Sequence, residues 1–324
     1  MPRPSLRPRA LVACCAVTLA VAGCGAGSDA AAPAPAVLGS AASSAPATTA
    51  PFPEAADADP VPADTAAWEG LEEEFDARLG LYALDTATGR EVVWRADERF
   101  AHASTIKAPL AAAALDLLKV TGLRSEVRVA YSDVLDHAPV TGPRAGRTMP
   151  LGDVIEASLV EGDNTAANIL LEVVGGPDGL EETLAAVGDE TTDVSRPEPA
   201  LADWDPDEER DTSTPRALAT TVASYTVGEA LEAPERDRLM AWLAASRTGD
   251  TLIRAGLPGG WQAATRSGTG SHGVRNDIGV VWPEGGDPVV LAVLSHRVDA
   301  GDEADDRLVA QAAGAALSAL GRAD

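Results

Sequence analysis

The sequence predicts an α/β fold: an antiparallel sheet built from both chain ends, with flanking helices and an inserted all-helical subdomain. Three observations predict it. A strand–turn–strand pattern occupies residues 79–94, helical patterns dominate from about 105 to 256, and strand patterns return between 263 and 295.

Taken in order, Leu79-Gly80-Leu81-Tyr82-Ala83-Leu84 reads as a strand, Thr88-Gly89 as a turn and Glu91-Val92-Val93-Trp94 as its hairpin partner. Ala108-Pro109-Leu110 through Leu118 carries a helical pattern. At Thr214-Pro215 a threonine cap is followed by proline at the first helical position, where its missing N–H is harmless. Strands are expected at 263–270, 279–282 and 289–295, and Asp305 to Leu320 reads as the closing helix.

The chain has 324 residues, a formal net charge of −25 and a pI near 4.4. Phosphates would be repelled at long range, which argues against a nucleic-acid partner. MPRPSLRPR supplies basic residues, and the apolar run ALVACCAVTLAVAG after it is too short to span a membrane comfortably. We read residues 1–23 as a secretion signal. Val21-Ala22-Gly23-Cys24 resembles the lipobox of bacterial lipoproteins, which implies an exported protein held on the outer face of the cell membrane by lipid on Cys24. Cys14 and Cys15 would leave with the signal, so the mature chain would have no disulfide. Residues 24–65, rich in Ala, Pro, Ser and Thr, lack apolar periodicity and read as a tether. Residues 66–324 read as the folded, monomeric domain.

Only two of the 25 cationic residues are lysines, Lys107 and Lys119. Lys107 follows Ser104 by three positions, a spacing that puts both on one helix face within hydrogen-bond reach. A serine hydroxyl becomes a useful nucleophile when a neighbour takes its proton. Arginine stays protonated, whereas burial and nearby cations can shift a lysine downward. A chain that writes nearly every cation as arginine therefore keeps lysine where a proton must move.

Further motifs follow in order: Glu161-Gly162-Asp163-Asn164-Thr165-Ala166-Ala167-Asn168, Arg196-Pro197-Glu198-Pro199-Ala200-Leu201, Arg210-Asp211-Thr212-Ser213-Thr214-Pro215 and Arg266-Ser267-Gly268-Thr269-Gly270. With Ser104-Thr105-Ile106-Lys107 they make the chain, over roughly residues 66–322, resemble the class A serine β-lactamases. The resemblance implies that Ser104 attacks the lactam carbonyl to form an acyl-enzyme, with Lys107 in the proton network. Glu198 would activate the water that releases the product, and either Lys107 or Glu198 would be the acylation base. Backbone N–H groups of Ser104 and Thr269 would form the oxyanion hole. Arg196 and Asp211 would close the Glu198 loop as an ion pair. Asn164, Arg266, Ser267, Thr269 and Arg275 would bind a small-molecule β-lactam. Arg266, where relatives usually have lysine, would act as a fixed cation that also depresses Lys107.

Two positions depart from the family pattern. Gly162 stands where a serine usually passes a proton to the leaving nitrogen, and Ala202 where an asparagine usually helps hold the deacylating water. Both departures favour the alternative of a β-lactam- or peptidoglycan-binding lipoprotein with slow or no turnover. A cell-wall peptidase is a further alternative, which the Glu198 loop argues against. His102, His137, His272 and His296 lack metal-ligand spacing, so neither a metal nor a cofactor is expected. His137 falls where relatives place a cleft-rim side chain and reads as a surface histidine.

Overall fold

The computed structural model describes residues 65–322. The expected signal, Cys24 and all of the expected tether but Thr65 lie outside the described residues. Strands in chain order are β1 (Ala77–Asp85), β2 (Glu91–Trp94), β3 (Phe100–Ala101), β4 (Glu126–Arg128), β5 (Thr148–Pro150), β6 (Thr212–Ser213), β7 (Gln262–Thr269), β8 (Arg275–Trp282) and β9 (Val289–Arg297). The helices are α1 (Thr65–Phe75), α2 (Lys107–Gly122), α3 (Leu151–Val160), α4 (Asn164–Val173), α5 (Gly176–Ala186), α6 (Pro215–Thr226), α7 (Ala233–Ala244) and α8 (Asp306–Ala319).

The main sheet runs β2-β1-β9-β8-β7 with every pair antiparallel, so both chain ends build it as predicted. Its strands β1 and β9 are largely apolar because both of their faces are covered. Leu79, Leu81, Leu291 and Val293 pack with Leu308, Val309 and Ala312 of α8, while Tyr82, Leu84, Val290 and Ala292 join the core of the helical subdomain. Alternate side chains of one strand thus serve two cores.

Helix α2 runs through the middle of that subdomain, with every residue from Lys107 to Leu115 buried. A helix apolar all round belongs in such an interior, and only the lysine at its start breaks the run. Thr214 accepts the Ala217 N–H at 3.1 Å and Pro215 opens α6, as the sequence predicts. Two details differ from expectation. β8 begins at Arg275, four residues before the expected start, because residues 275–278 pair with 266–269. Two small strand pairs were also not expected: β4 with β5 inside the helical middle, and β6 of that region with β3 just before it.

Candidate active site

Ser104 lies in a single 3-10 turn, Ala103–Ile106, that runs directly into α2. The buried Ala103 before it holds a left-handed φ of 46°, costly for a residue with a β-carbon and tolerated where the surroundings over-determine it. Gly268 of β7 comes so close that a β-carbon there would stand 3.0 Å from His102 O and 3.1 Å from Ser104 N. The sheet edge therefore lies against the backbone of the nucleophile candidate. Gly270 N–H donates to Val274 O on the β8 side at 3.2 Å. Since successive amides alternate sides, Thr269 N–H points off the free edge of β7, the side on which Ser104 sits.

The Ser104 hydroxyl donates to Glu198 Oε1 at 2.5 Å. Lys107 Nζ lies 2.9 Å from the same oxygen and donates to Gly162 O at 3.0 Å and to Asn164 Oδ1 at 2.5 Å. This corrects the sequence reading, in which Lys107 reaches Ser104 directly. One Glu198 oxygen contacts both side chains, and the two hydrogen bonds that Lys107 donates go to Gly162 and Asn164. Burial pushes Lys107 down to about 8; the Glu198 carboxylate opposes that shift and the Arg266 cation adds to it.

Glu198 is buried on a loop fastened at several points. Asn168 of α4 accepts its N–H at 2.9 Å and donates to its carbonyl at 2.8 Å. Asp211 accepts the N–H groups of Ser195 and Arg196, both at 2.9 Å, and pairs with the Arg196 guanidinium. The Arg196–Asp211 pair is thus present where the sequence suggests it.

At the start of α4, Asp163 is the N-cap and accepts the Ala166 N–H at 2.8 Å. Its carboxylate also takes the Val140 N–H, the Thr141 N–H and the Thr141 hydroxyl at 3.0, 2.9 and 2.7 Å. One side chain therefore caps a helix and clamps the 137–141 loop over the cleft. Gly162 before it has φ +74°, a conformation that suits glycine.

Across the cleft, Arg266 is fully buried on β7, and burial lowers it to about 10 against the attraction of Glu198 and Asp277. Its Nη1 donates to Thr248 Oγ1, which also accepts the Ser267 hydroxyl at 2.8 Å. Arg275 of β8 forms a two-point pair with Asp306, at 2.6 and 3.2 Å, and donates to Thr269 Oγ1 at 2.8 Å. It enters the cleft already paired, and not as the free strand-surface cation that its position would allow.

One cleft therefore brings together Ser104, Asn164, Glu198, Arg266, Ser267, Thr269 and Arg275, with Lys107 beneath and His137 at its margin. His102 is buried elsewhere, its ring nitrogens 3.0 and 2.9 Å from the carbonyl oxygens of Ala103 and Asp193. Sequence reasoning missed Thr248, which lies after α7 with no local signal. It also missed Asn168 as an anchor, although the i+4 spacing from Asn164 places both on one helical face.

Residues 65–320 match the model of the Beta-lactamase enzyme family. A β-lactamase of Bacillus licheniformis is 43% identical over 250 residues, covering 77% of this chain and 81% of that protein. One from Amycolatopsis lactamdurans is 44% identical over 269 residues, covering 83% and 89%. Among solved structures, a class A β-lactamase from Clostridium kluyveri superposes with a TM-score of 0.78 at 40% identity, covering 79% of this chain and 98% of that one. A β-lactamase from Streptosporangium roseum gives 0.78 at 38%, covering 80% and 99%. On this sequence likeness and shared fold, the chain belongs to the class A β-lactamases, enzymes that hydrolyse the cyclic amide of β-lactam antibiotics.

Proposed function

We propose that this chain opens β-lactams through a Ser104 acyl-enzyme, with Glu198 as the base for both acylation and deacylation. The observation that carries the reading is the 2.5 Å hydrogen bond from the Ser104 hydroxyl to Glu198 Oε1, with Lys107 Nζ 2.9 Å from the same oxygen. Glu198 takes the hydroxyl proton as Ser104 Oγ bonds to the lactam carbonyl carbon. Lys107 holds the carboxylate in place and supplies positive charge beside it. Backbone N–H groups of Ser104 and Thr269 receive the developing oxyanion, each worth about 3 to 4 kcal/mol in other hydrolases. Arg266, Ser267 and Arg275 attract and orient the substrate carboxylate, and Asn164 offers its amide to the substrate side chain. Once Glu198 has given up that proton, it draws another from the water that attacks the ester and hands it to Ser104 Oγ as the ester bond breaks.

The scheme needs no group from a second chain, so a monomer would suffice for it. The basic and apolar N-terminal run and Cys24 support export and attachment to the outer face of the cell membrane by lipid. The test is hydrolysis of a chromogenic cephalosporin with intact-mass analysis of quenched samples. Ser104→Ala should lose both turnover and adduct, and Glu198→Ala should accumulate the adduct formed by residual acylation. A Ser104→Ala protein that still hydrolyses the substrate would overturn the scheme.

A further inference from the structure

Cleavage of the lactam C–N bond needs a proton on the departing nitrogen, and the groups already assigned do not deliver it. Glu198 has just collected the serine proton. Lys107 donates to Gly162 O and Asn164 Oδ1 and pairs with Glu198 Oε1 at 2.9 Å, so its ammonium is engaged beneath the cleft. The Ser267 hydroxyl donates into Thr248, at 2.8 Å from both its carbonyl oxygen and its Oγ1, and the Arg266 guanidinium is a fixed cation. Gly162 has no side chain to contribute.

The surroundings of Gly162 supply another donor. A β-carbon on Gly162 would stand 3.2 Å from Arg266 Nη2, 3.4 Å from the Thr248 methyl and 3.6 Å from His137 Nε2. The imidazole therefore reaches the position that a residue-162 side chain would occupy. Its place is built into the fold: His137 O accepts the Asn164 N–H at 2.9 Å, and Asp163 clamps Val140 and Thr141 of the same loop. The residue is exposed to solvent and lines the same cleft as Ser104 and Gly162. Histidine is the side chain suited to giving and regaining a proton near neutral pH.

We propose that His137 is the catalytic acid that protonates the departing lactam nitrogen, and that the glycine at 162 leaves the imidazole its path to that atom. The proposal rests on the Ser104 acyl-enzyme reading. In this step the Ser104 Oγ–carbonyl bond forms, the Ser104 proton passes to Glu198, and the carbonyl–nitrogen bond breaks. Its electron pair takes the Nε2 proton of the imidazolium. The neutral imidazole regains a proton from water, and Glu198 returns its own to solvent, so the count closes over a turnover.

The experiment is single-turnover acylation of the full chain by benzylpenicillin, followed by quenched intact mass, for wild type, His137→Ala and His137→Phe. Both variants should acylate about 10²-fold or more slowly, the low end expected for a positioned proton transfer. The half-saturating penicillin concentration and the decay of the adduct should change by no more than about 3-fold. Added imidazole should restore part of the rate to His137→Ala. Variants that acylate within about 3-fold of wild type would overturn the proposal and leave the acyl-enzyme reading standing. So would a His137→Ala defect repaired by His137→Phe and untouched by imidazole, which marks packing at the rim. A wild-type chain that forms no adduct would overturn the acyl-enzyme reading, and this proposal with it.

Discussion

Gly162 and Arg266 are fitted to one another: a β-carbon at 162 would stand 3.2 Å from Arg266 Nη2, on a backbone whose φ is +74°. Gly162→Ser therefore meets two penalties, left-handed strain and crowding against a buried guanidinium. Together they should lower stability by about 1 to 3 kcal/mol. Arg266→Lys replaces the planar fork with a compact ammonium and should relieve the crowding but not the strain. Chemical unfolding of both single variants and the double should give a favourable coupling of about 0.5 to 3 kcal/mol. Additive losses would show that the two positions are chosen independently.

The only two lysines in the chain should titrate far apart. Burial holds Lys107 down to about 8, against the pull of Glu198 and with help from Arg266, whereas its hydrogen bond to Asp116 pushes Lys119 above 10.5. Selective 13C-lysine NMR should therefore show two well-separated titrations, with the lower one moving further down in Glu198→Gln. The sign for stability follows. The folded value of Lys107 lies below the unfolded 10.5, so its penalty is complete below about 8 and is relieved as pH rises from there to 10.5. Coincident titrations would remove the electrostatic basis for placing Lys107 in the proton network.

Asp211 organises the Glu198 loop from a fully buried position, through two backbone N–H groups and the Arg196 guanidinium. Its φ is +56°, which asparagine tolerates, so Asp211→Asn removes the charge with little added backbone strain. Stranding Arg196 should cost about 3 kcal/mol, the low end for breaking a buried pair whose other partner is partly exposed. Hydrogen exchange should quicken across residues 193–211, and the acyl adduct should persist longer because Glu198 is held less firmly. A melting temperature and exchange pattern equal to wild type would show that Asn168 alone secures the loop.

Strands β1 and β9 were legible because their side chains alternate between two cores, so they read as apolar runs of strand length. The boundary of β8 was not, since Arg275, Asn276 and Asp277 are polar and owe their strand conformation to pairing with Thr269, Gly268 and Ser267. At the site, the scarcity of lysine drew attention to Lys107, which the structure places beside Glu198 and Asn164. The i+3 rule nevertheless paired it with Ser104, whereas both side chains contact Glu198, 94 residues beyond Ser104, and local spacing carries no record of that. Thr248 and the approach of His137 to Gly162 were hidden for the same reason. His137 reads as a surface residue in sequence, and it is exposed, but its ring turns towards the cleft.

Ala202 offers a gain-of-function test. It ends the short turn Ala200–Ala202 after Glu198-Pro199, and its carbonyl accepts the Ser271 N–H at 2.9 Å, so the backbone at this position is held. Asn168 fixes the Glu198 backbone from the other side. Ala202 lines the same cleft as Glu198 with no polar side chain, and under the proposed scheme the deacylating water is activated by that carboxylate. Ala202→Asn supplies a donor and an acceptor there. One added hydrogen bond, at about 1 kcal/mol net, should speed adduct decay by about 5-fold. Acylation should be unchanged, because Ser104, Glu198 and Lys107 keep their mutual contacts. Decay followed by intact mass after a penicillin pulse separates the two steps. Slower decay in the variant would mean that the added side chain displaces the water, and that the alanine itself sets the turnover of this enzyme.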